Sequence, residues 1–203
     1  RKSEALAQLS PELSEDKQNS TFHSNLYRVR KALYGLESVL EDEGLYRLDP
    51  SAEVSWDVDD FESAIASGRS HAPGSEQRAA AFQQALASYE GPFAPEFFSD
   101  WATAVRLRVE HQKESALTGL AAYFAAQDRY EEAIECLERV VDTDHLNEEA
   151  AFQLIVAKSK AGQAVAALSF CDEFAREMKS ELDATLPERF LTLRSRIASG
   201  EAV

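Results

Sequence analysis

The chain has 203 residues, of which 44% are hydrophobic and 28% charged, a composition ordinary for a folded protein of one or two domains. It contains no run of 18 apolar residues, which argues against a membrane-spanning helix. Two cysteines are too few for a disulfide framework and indicate a reducing compartment, so we expect a cytoplasmic protein with no membrane partner. The net charge of −15 argues against nucleic acid as a partner, although its distribution along the chain argues differently.

The sequence carries no signature of a catalytic or metal site. Its four histidines are scattered, and the motifs HExxH, GxSxG, GxxxxGK[ST] and GxGxxG do not occur. Cys136 and Cys171 fall on predicted helix faces and are expected to be small buried hydrophobes. His111 and Glu114 share a helix face but offer too few ligands for a metal. We therefore expect a protein that is not an enzyme and uses no metal and no cofactor.

Two helices are predicted at the N-terminal end. The chain starts at Arg1 and a helix already begins at Ser3, so we expect the sequence to begin inside a longer protein. Ser10-Pro11 ends this helix, and Ser14 starts a second one that runs to about Tyr34. In the second helix, apolar residues recur at spacings of four, three and four, which predicts one buried face. These residues are Phe22, Leu26, Val29 and Leu33.

A β-hairpin is predicted where the period of the pattern changes to two. Residues 45–48 and 54–58 alternate in polarity, and residues 49–53 between them have turn chemistry. We therefore predict that these two segments pair as strands. Before them, Val39 and Leu40 are expected to extend the second helix by about one turn.

Beyond the hairpin the pattern is helical. We predict a short helix ended by Gly68, a helix over residues 76–89 and a long helix over residues 100–127. The last third repeats with an offset of 34 residues, the tetratricopeptide period, which aligns Ala133 with Ala167 at expected helix crossings. The same offset aligns Ala116 with Ala150, Leu120 with Leu154, Ile134 with Leu168 and Val140 with Phe174.

The charge is distributed unevenly. Residues 1–48 carry seven Lys and Arg against eight Asp and Glu, whereas residues 49–203 carry 14 against 28. Residues 17–36 contain no acidic residue, so the second helix is free of negative charge beyond its first turn, within an acidic chain. A phosphate backbone favours such a surface, because a nearby carboxylate would repel it. The alternative is a solvated basic face that pairs with the acidic second half of the chain.

The buried stripe leaves the other faces of this helix free to contact duplex DNA. Ser, His, Tyr, Arg and Lys side chains on those faces are of the types that contact base edges and phosphates. The order of short helix, turn, basic helix and hairpin also matches helix, turn, recognition helix and wing. The predicted DNA-contacting residues are Ser20, His23, Ser24, Tyr27, Arg28, Arg30 and Lys31 on the helix and Arg47 on the hairpin.

Two family resemblances cover nearly the whole chain. Residues 3–58 resemble the C-terminal part of the OmpR-type winged-helix DNA-binding domain, with residues 25–33 similar to its recognition helix and residues 45–50 similar to its wing. Residues 58–197 resemble the bacterial transcriptional activator domain, notably at the Tyr-Glu-Gly-Pro-Phe run of residues 89–93. That domain follows such a winged helix in regulators of antibiotic-biosynthesis genes in Streptomyces.

The resemblance implies two domains, residues 1–58 for DNA binding and residues 59–203 for tetratricopeptide-like helices. The implied fold is mainly α: a truncated winged helix with one β-hairpin, followed by a helical-repeat domain. The implied function is that of a transcriptional regulator, usually an activator, that binds promoter DNA and engages RNA polymerase. Its helical domain would contact a regulatory partner, other domains of a longer parent chain, or a second copy in a homodimer.

The concave side of the repeats is the predicted protein-binding surface. Helix phasing places there Thr118, Ala122, Phe152, Val156 and Lys160. For each residue the alternative is packing or contact with solvent. The alternative function for the whole chain is a helical-repeat scaffold that binds proteins and no DNA. The acid-free helix favours the DNA-binding regulator, and the total charge favours the scaffold.

Overall fold

The computed structural model describes residues 1–9, 12–33, 38–51 and 56–201. These residues form two compact units: Arg1–Trp56 with Ala94–Ala104, and Asp57–Phe93 with Val105–Val203. The helices are α1 (Lys2–Leu9), α2 (Glu15–Ala32), α3 (Asp57–Ser70), α4 (Glu76–Ser88), α5 (Asp100–Ala125), α6 (Tyr130–Thr143), α7 (Glu148–Lys160), α8 (Ala164–Leu182) and α9 (Glu188–Ser199). The strands are β1 (Val39–Asp42) and β2 (Leu45–Leu48). Within the described ranges, the predicted mainly α fold with one hairpin is confirmed.

The hairpin of the first unit pairs different segments from those predicted. Strand β1 runs antiparallel to β2, and Val39 pairs with Leu48. Glu43 and Gly44 between the strands have φ values of 48° and 76°, as a two-residue type I′ turn requires. The predicted pairing of residues 45–48 with 54–58 is therefore wrong, and so is the helical turn predicted at Val39.

Helix formation explains why residues 54–58 are not the partner strand. The segment predicted as the partner strand enters α3, which begins at Asp57 and buries Val58. Three acidic residues in the first turn of α3 interact favourably with the positive end of the helix dipole. The alternating polarity of this segment suggested a strand and hid this signal for a helix start. Residues 52–55 of that segment lie outside the described ranges.

The predicted 34-residue repeat is visible in the burial of the second unit. Both members of four aligned pairs are at most 3% exposed: Ala116 and Ala150, Leu120 and Leu154, Ala133 and Ala167, and Val140 and Phe174. The turns repeat as well. Asp128 and Gly162, 34 positions apart, both have left-handed φ values, 57° and 79°. After each, an N–H reaches back to a carbonyl five residues earlier, from Arg129 to Phe124 and from Gln163 to Lys158. The two copies therefore end their first helices in the same way.

Helix α7 separates two hydrophobic clusters. Ala150, Leu154 and Ala157 on α7 pack into a cluster formed with α3 to α6. Ala151 and Ile155 on the same helix pack into a cluster formed with α8 and α9. Helix α9 places Phe190, Leu193 and Ile197 in the second cluster. Cys136 and Cys171 are buried, and burial raises the pKa of the Cys136 thiol to about 11.

Gly68 does not end its helix, contrary to the prediction. It is buried inside α3, which continues to Ser70. A Cβ at Gly68 would lie 2.5 Å from the Phe82 ring, and a Cβ at Gly119 would lie 2.8 Å from the opposite edge of that ring. The two glycines therefore make room for one phenylalanine that is 1% exposed.

Candidate functional site

The outward side of α2 carries five of the eight predicted DNA-contacting residues. We call this side the outer face. Residues at helical spacings of three and four share it: Lys17, Ser20, Ser24, Tyr27, Arg28 and Lys31. All six are exposed, and Tyr27 is 60% exposed. Acidic residues occur only in the first turn of α2, at Glu15 and Asp16. Asp16, four residues before Ser20, lies at the N-terminal edge of the outer face. From Lys17 onward this face presents three cations and three polar side chains with no carboxylate among them.

The opposite side of α2 is only partly the apolar stripe that was predicted. Phe22 and Leu26 are half-buried, whereas Val29 and Leu33 are 46% and 39% exposed, so their predicted burial is wrong. The Phe22 ring packs edge-on against Tyr46 of β2, with ring centroids 5.0 Å apart. This aromatic contact attaches α2 to the hairpin.

Arg30 lies on the packed side of α2, not on the outward side where it was predicted. Its Nη2 donates to the carbonyl oxygen of Val39 on β1, at 2.7 Å. Its Nε is buried and has no hydrogen-bond partner among the described residues. Arg30 thus holds the hairpin against α2, while Arg28 and Lys31 stay on the outer face.

Lys2 borders the basic helix, and the sequence pattern did not single it out. Its Nζ lies 5.5 Å from the centre of the Phe22 ring and 3.2 Å from Nε2 of His23. Because an ammonium can only donate, this His23 nitrogen acts as an acceptor. The backbone N–H of Lys2 also donates to the carbonyl of Gly44 in the hairpin turn, at 3.2 Å. No sequence signal connected Lys2 with His23, because the contact depends on how α1 packs.

Arg47 lies on β2 opposite Leu40 and is exposed. Tyr46 faces α2, and neighbouring strand residues point to opposite faces, so Arg47 points away from α2. Just after this strand, the Ser51 backbone N–H and hydroxyl each donate to Asp49 Oδ1 at 2.8 Å. These bonds hold the pKa of the Asp49 carboxyl below its usual value.

Four of the five predicted protein-contacting residues line one groove in the second unit. Ala122 comes from α5, and Phe152, Val156 and Lys160 come from α7. The groove encloses about 290 Å³, and α6 contributes Tyr130 to it. Because alanines from all three helices form its floor, we call it the alanine groove. Thr118 does not line it. Its hydroxyl donates to the Glu114 carbonyl of its own helix at 3.0 Å.

The two ends of the alanine groove differ in charge. At one end, Glu149 accepts hydrogen bonds from Arg189 at 2.8 Å and from Gln153 at 2.9 Å, which lower the pKa of its carboxyl. At the other end, the Lys160 ammonium lies 6.0 Å from the centre of the Tyr130 ring. Arg189 also lies 3.7 Å from Glu148, so two carboxylates share one guanidinium at the first end, whereas the second end is cationic.

Metal ligands are not gathered anywhere in the part of the chain that the structure describes. No group of three or more His, Cys, Asp and Glu side chains there could hold an ion. His111 is exposed, and Glu114 accepts a hydrogen bond from Asn147 Nδ2 at 2.8 Å. Among the described helices, none combines the length and apolar character needed to cross a bilayer.

Comparisons with known proteins address the second unit most directly. The family model described as bacterial transcriptional activator domain matches residues 56–197. A search of curated proteins found no match. Among solved structures, the chain is similar to Mycobacterium tuberculosis EmbR in complex with a low affinity phosphopeptide, at 20% identity and a TM-score of 0.73. The similarity covers 98% of this chain and 54% of that one, so this chain spans about half its length. It therefore supports the fold.

Proposed function

Because the chain belongs to the bacterial transcriptional activator domain family, we propose that it is a DNA-binding transcriptional regulator that acts as an activator. The observation that carries the proposal is the outer face of α2. Beyond Asp16 at its N-terminal edge, it presents Lys17, Arg28 and Lys31 without a carboxylate, although the chain as a whole has a net charge of −15. Phosphate contacts dominate affinity for DNA, so this face is the part of the described surface best suited to it.

The geometry of α2 supports a recognition helix. Its 18 residues span about 27 Å, enough to lie along a major groove. We assign Lys31 to a phosphate, Arg28 to a guanine or a phosphate, and Ser20, Ser24 and Tyr27 to base edges. His23 borders these residues beside Lys2, which adds a further cation.

The hairpin has two roles in this proposal. Arg47, exposed and directed away from α2, would reach a phosphate as the wing of the domain. Arg30 was predicted to contact DNA, but its bond to Val39 suits a positioning role instead. It fixes the angle between recognition helix and hairpin, on which simultaneous contact with groove and backbone depends.

The helical unit would carry the protein contacts of the regulator. We propose that the alanine groove is its contact surface, and that its partners are RNA polymerase, a regulatory protein, a second copy of the chain or other domains of a longer parent chain. The fold similarity to EmbR is consistent with a regulator. The competing function is a scaffold that binds protein without DNA, favoured by the 28 acidic against 14 basic residues over residues 49–203.

A salt titration of DNA binding separates these two functions. The full-length protein is titrated with promoter and random duplexes, alongside the double variant R28A/K31A. We expect weaker binding and a salt slope reduced by about one unit for each phosphate that the variant no longer neutralises. The matched control is R176A/K179A, which removes two exposed cations from α8 and should bind like the parent. Equal affinity and slope for R28A/K31A and the parent would leave the scaffold as the function.

A further inference from the structure

We propose that the alanine groove binds an acidic amphipathic segment of a partner protein, with apolar side chains on the alanine floor and a carboxylate on Lys160. The inference rests on the proposed role of this groove as a protein-contact surface. It adds the chemistry of the partner, which neither the family nor the fold specifies.

The floor of the groove indicates that apolar side chains come from outside. Small side chains from three helices line it: Ala121, Ala122 and Ala125 of α5, Ala133 of α6 and Ala157 of α7. A volume of about 290 Å³ is at the lower end of ligand pockets, which suits a few side chains of a peptide. Phe152 and Val156 add apolar walls, so the floor favours aliphatic or aromatic anchors.

The walls of the groove are held in place before any partner arrives. The Phe152 ring packs edge-on against Phe190 of α9, with centroids 5.3 Å apart. The Arg189 guanidinium carbon lies 4.9 Å from the centre of the Phe152 ring, and the same guanidinium donates to Glu149. A preformed wall lowers the entropy that binding must overcome, so a short segment can bind without reshaping the groove.

Lys160 specifies the charge of the partner. Its ammonium lies against the Tyr130 ring, and no described carboxylate forms an ion pair with it. Asp128, two residues before Tyr130, accepts a hydrogen bond from the Tyr130 hydroxyl at 2.5 Å. Glu149 at the far end pairs with Arg189, which it shares with Glu148, so neither carboxylate is available to Lys160 from that end. The groove thus offers one cation without an acidic partner, which a carboxylate of the bound segment would neutralise.

The spacing along α7 sets the size of the segment. From Glu149 to Lys160 is about 16 Å along the helix axis. This length corresponds to about five residues of extended peptide or about eleven of helix. We therefore expect one or two apolar anchors with an Asp or Glu at the end near Lys160.

Selection from a random displayed peptide library tests the inference on the full chain. Peptides selected on the parent protein are sequenced, and the strongest is labelled and titrated by fluorescence anisotropy. We expect enrichment of apolar residues together with Asp or Glu. K160E should weaken binding by about fivefold, the upper range for an exposed ion pair, and K160R should preserve it. A peptide with Lys in place of its acidic residue should in turn prefer K160E.

Two control pairs make every outcome informative. K179E changes charge by the same amount on α8 and should bind the peptide like the parent. A122Q, which fills the floor at an exposed position, should abolish binding, whereas A166Q on α8 should not. Apolar peptides that A122Q blocks and K160E leaves unchanged would overturn the acidic partner while keeping the groove as a contact surface. Selection of basic peptides, or of none, would overturn the inference as well. DNA binding through α2 is measured separately and should be unchanged in K160E.

Discussion

Arg30 and Val39 join the basic helix to the hairpin through one hydrogen bond, from Nη2 to the backbone carbonyl oxygen at 2.7 Å. Arg28, two positions earlier, is exposed on the outer face. Helix residues two positions apart are rotated by about 200° around the axis, so these two arginines point in nearly opposite directions. One therefore belongs to the packing of the first unit and the other to its proposed DNA surface.

The first prediction separates these two roles. R30A should lower the hydrogen-exchange protection of β1 by at least tenfold, because a bond to a charged donor contributes about 1.5–3 kcal/mol and the Val39 carbonyl would lose its partner. R28A should leave this protection unchanged and weaken DNA binding. Exchange measured by mass spectrometry checks the first effect, and helices α6 to α8 serve as an internal reference. Equal loss of protection in both variants would contradict the division of roles.

The second prediction concerns Gly68, which lies against the Phe82 ring. Replacing Gly68 by Ala gains about 1 kcal/mol of helix propensity, but the new Cβ would lie 2.5 Å from a buried ring. Overpacking of a core costs about 1–3 kcal/mol, so we expect G68A to be destabilised overall. Urea unfolding measures the difference, with S67A at the exposed neighbouring position as the control.

A double variant checks the cause of that loss. If the clash with Phe82 is responsible, F82L should make room for the new methyl group. G68A should then cost less stability in the F82L background than in the parent. Additive effects of the two substitutions would refute the close approach of α3 and α4 at this point.

The third prediction tests the 34-residue register at two adjacent alanines of α8. Ala167 is fully buried, and Ala166 is exposed. A167L should be destabilised by about 1–3 kcal/mol because a larger side chain cannot fit at the helix crossing. A166L should stay within about 0.5 kcal/mol of the parent. The aligned substitution A133L should resemble A167L in thermal unfolding, and a neutral result for both would count against the register.

The fourth prediction is a pH dependence centred on His145. Its Nε2 lies 2.9 Å from Glu181 Oε1, and this hydrogen bond, helped by Glu177 and Asp144, raises the pKa of the imidazole. A raised folded-state pKa stabilises the protein below the unfolded value of about 6.5 and loses that effect as pH rises through the folded value.

We therefore expect the parent to lose more thermal stability than H145Q between pH 6 and pH 8. An NMR titration of the ring should give a pKa above the ordinary value, and the shift should disappear in E181Q. Added salt should reduce the effect, because both side chains are about half exposed. An unshifted ring in the parent would contradict the contact.

The sequence was sufficient for the helical unit because its signals are local and repeated. Buried positions recur at helical spacing, and the offset that aligned Ala133 with Ala167 by residue type also aligned their burial. Gly68 was misassigned because a glycine in a helix pattern signals either an end or a close approach. Only the position of the Phe82 ring decides between these two meanings.

The first unit was harder to predict because one error led to another. The Glu43-Gly44 turn lacks the usual Asn or Asp before the glycine, so the hairpin was placed one segment too late. Without β1, no acceptor for Arg30 could be anticipated, and its charge placed it among the DNA contacts. The exposed residues of the outer face were predictable because the absence of acids is a property of the sequence itself.

Three sides of helix α7 are in contact with other parts of the second unit or line the groove, so few of its positions can be substituted freely. One side packs toward α6, another toward α8 and α9, and a third, with Phe152 and Val156, lines the alanine groove. Because each residue turns the helix by about 100°, inserting a single residue early in α7 would rotate every later side chain onto the wrong neighbour. Such an insertion would expose both clusters and close the groove in one step, whereas in α9, which packs on one side, it would disturb a single interface. The helical register of α7 therefore tolerates insertions and deletions less well than that of α9.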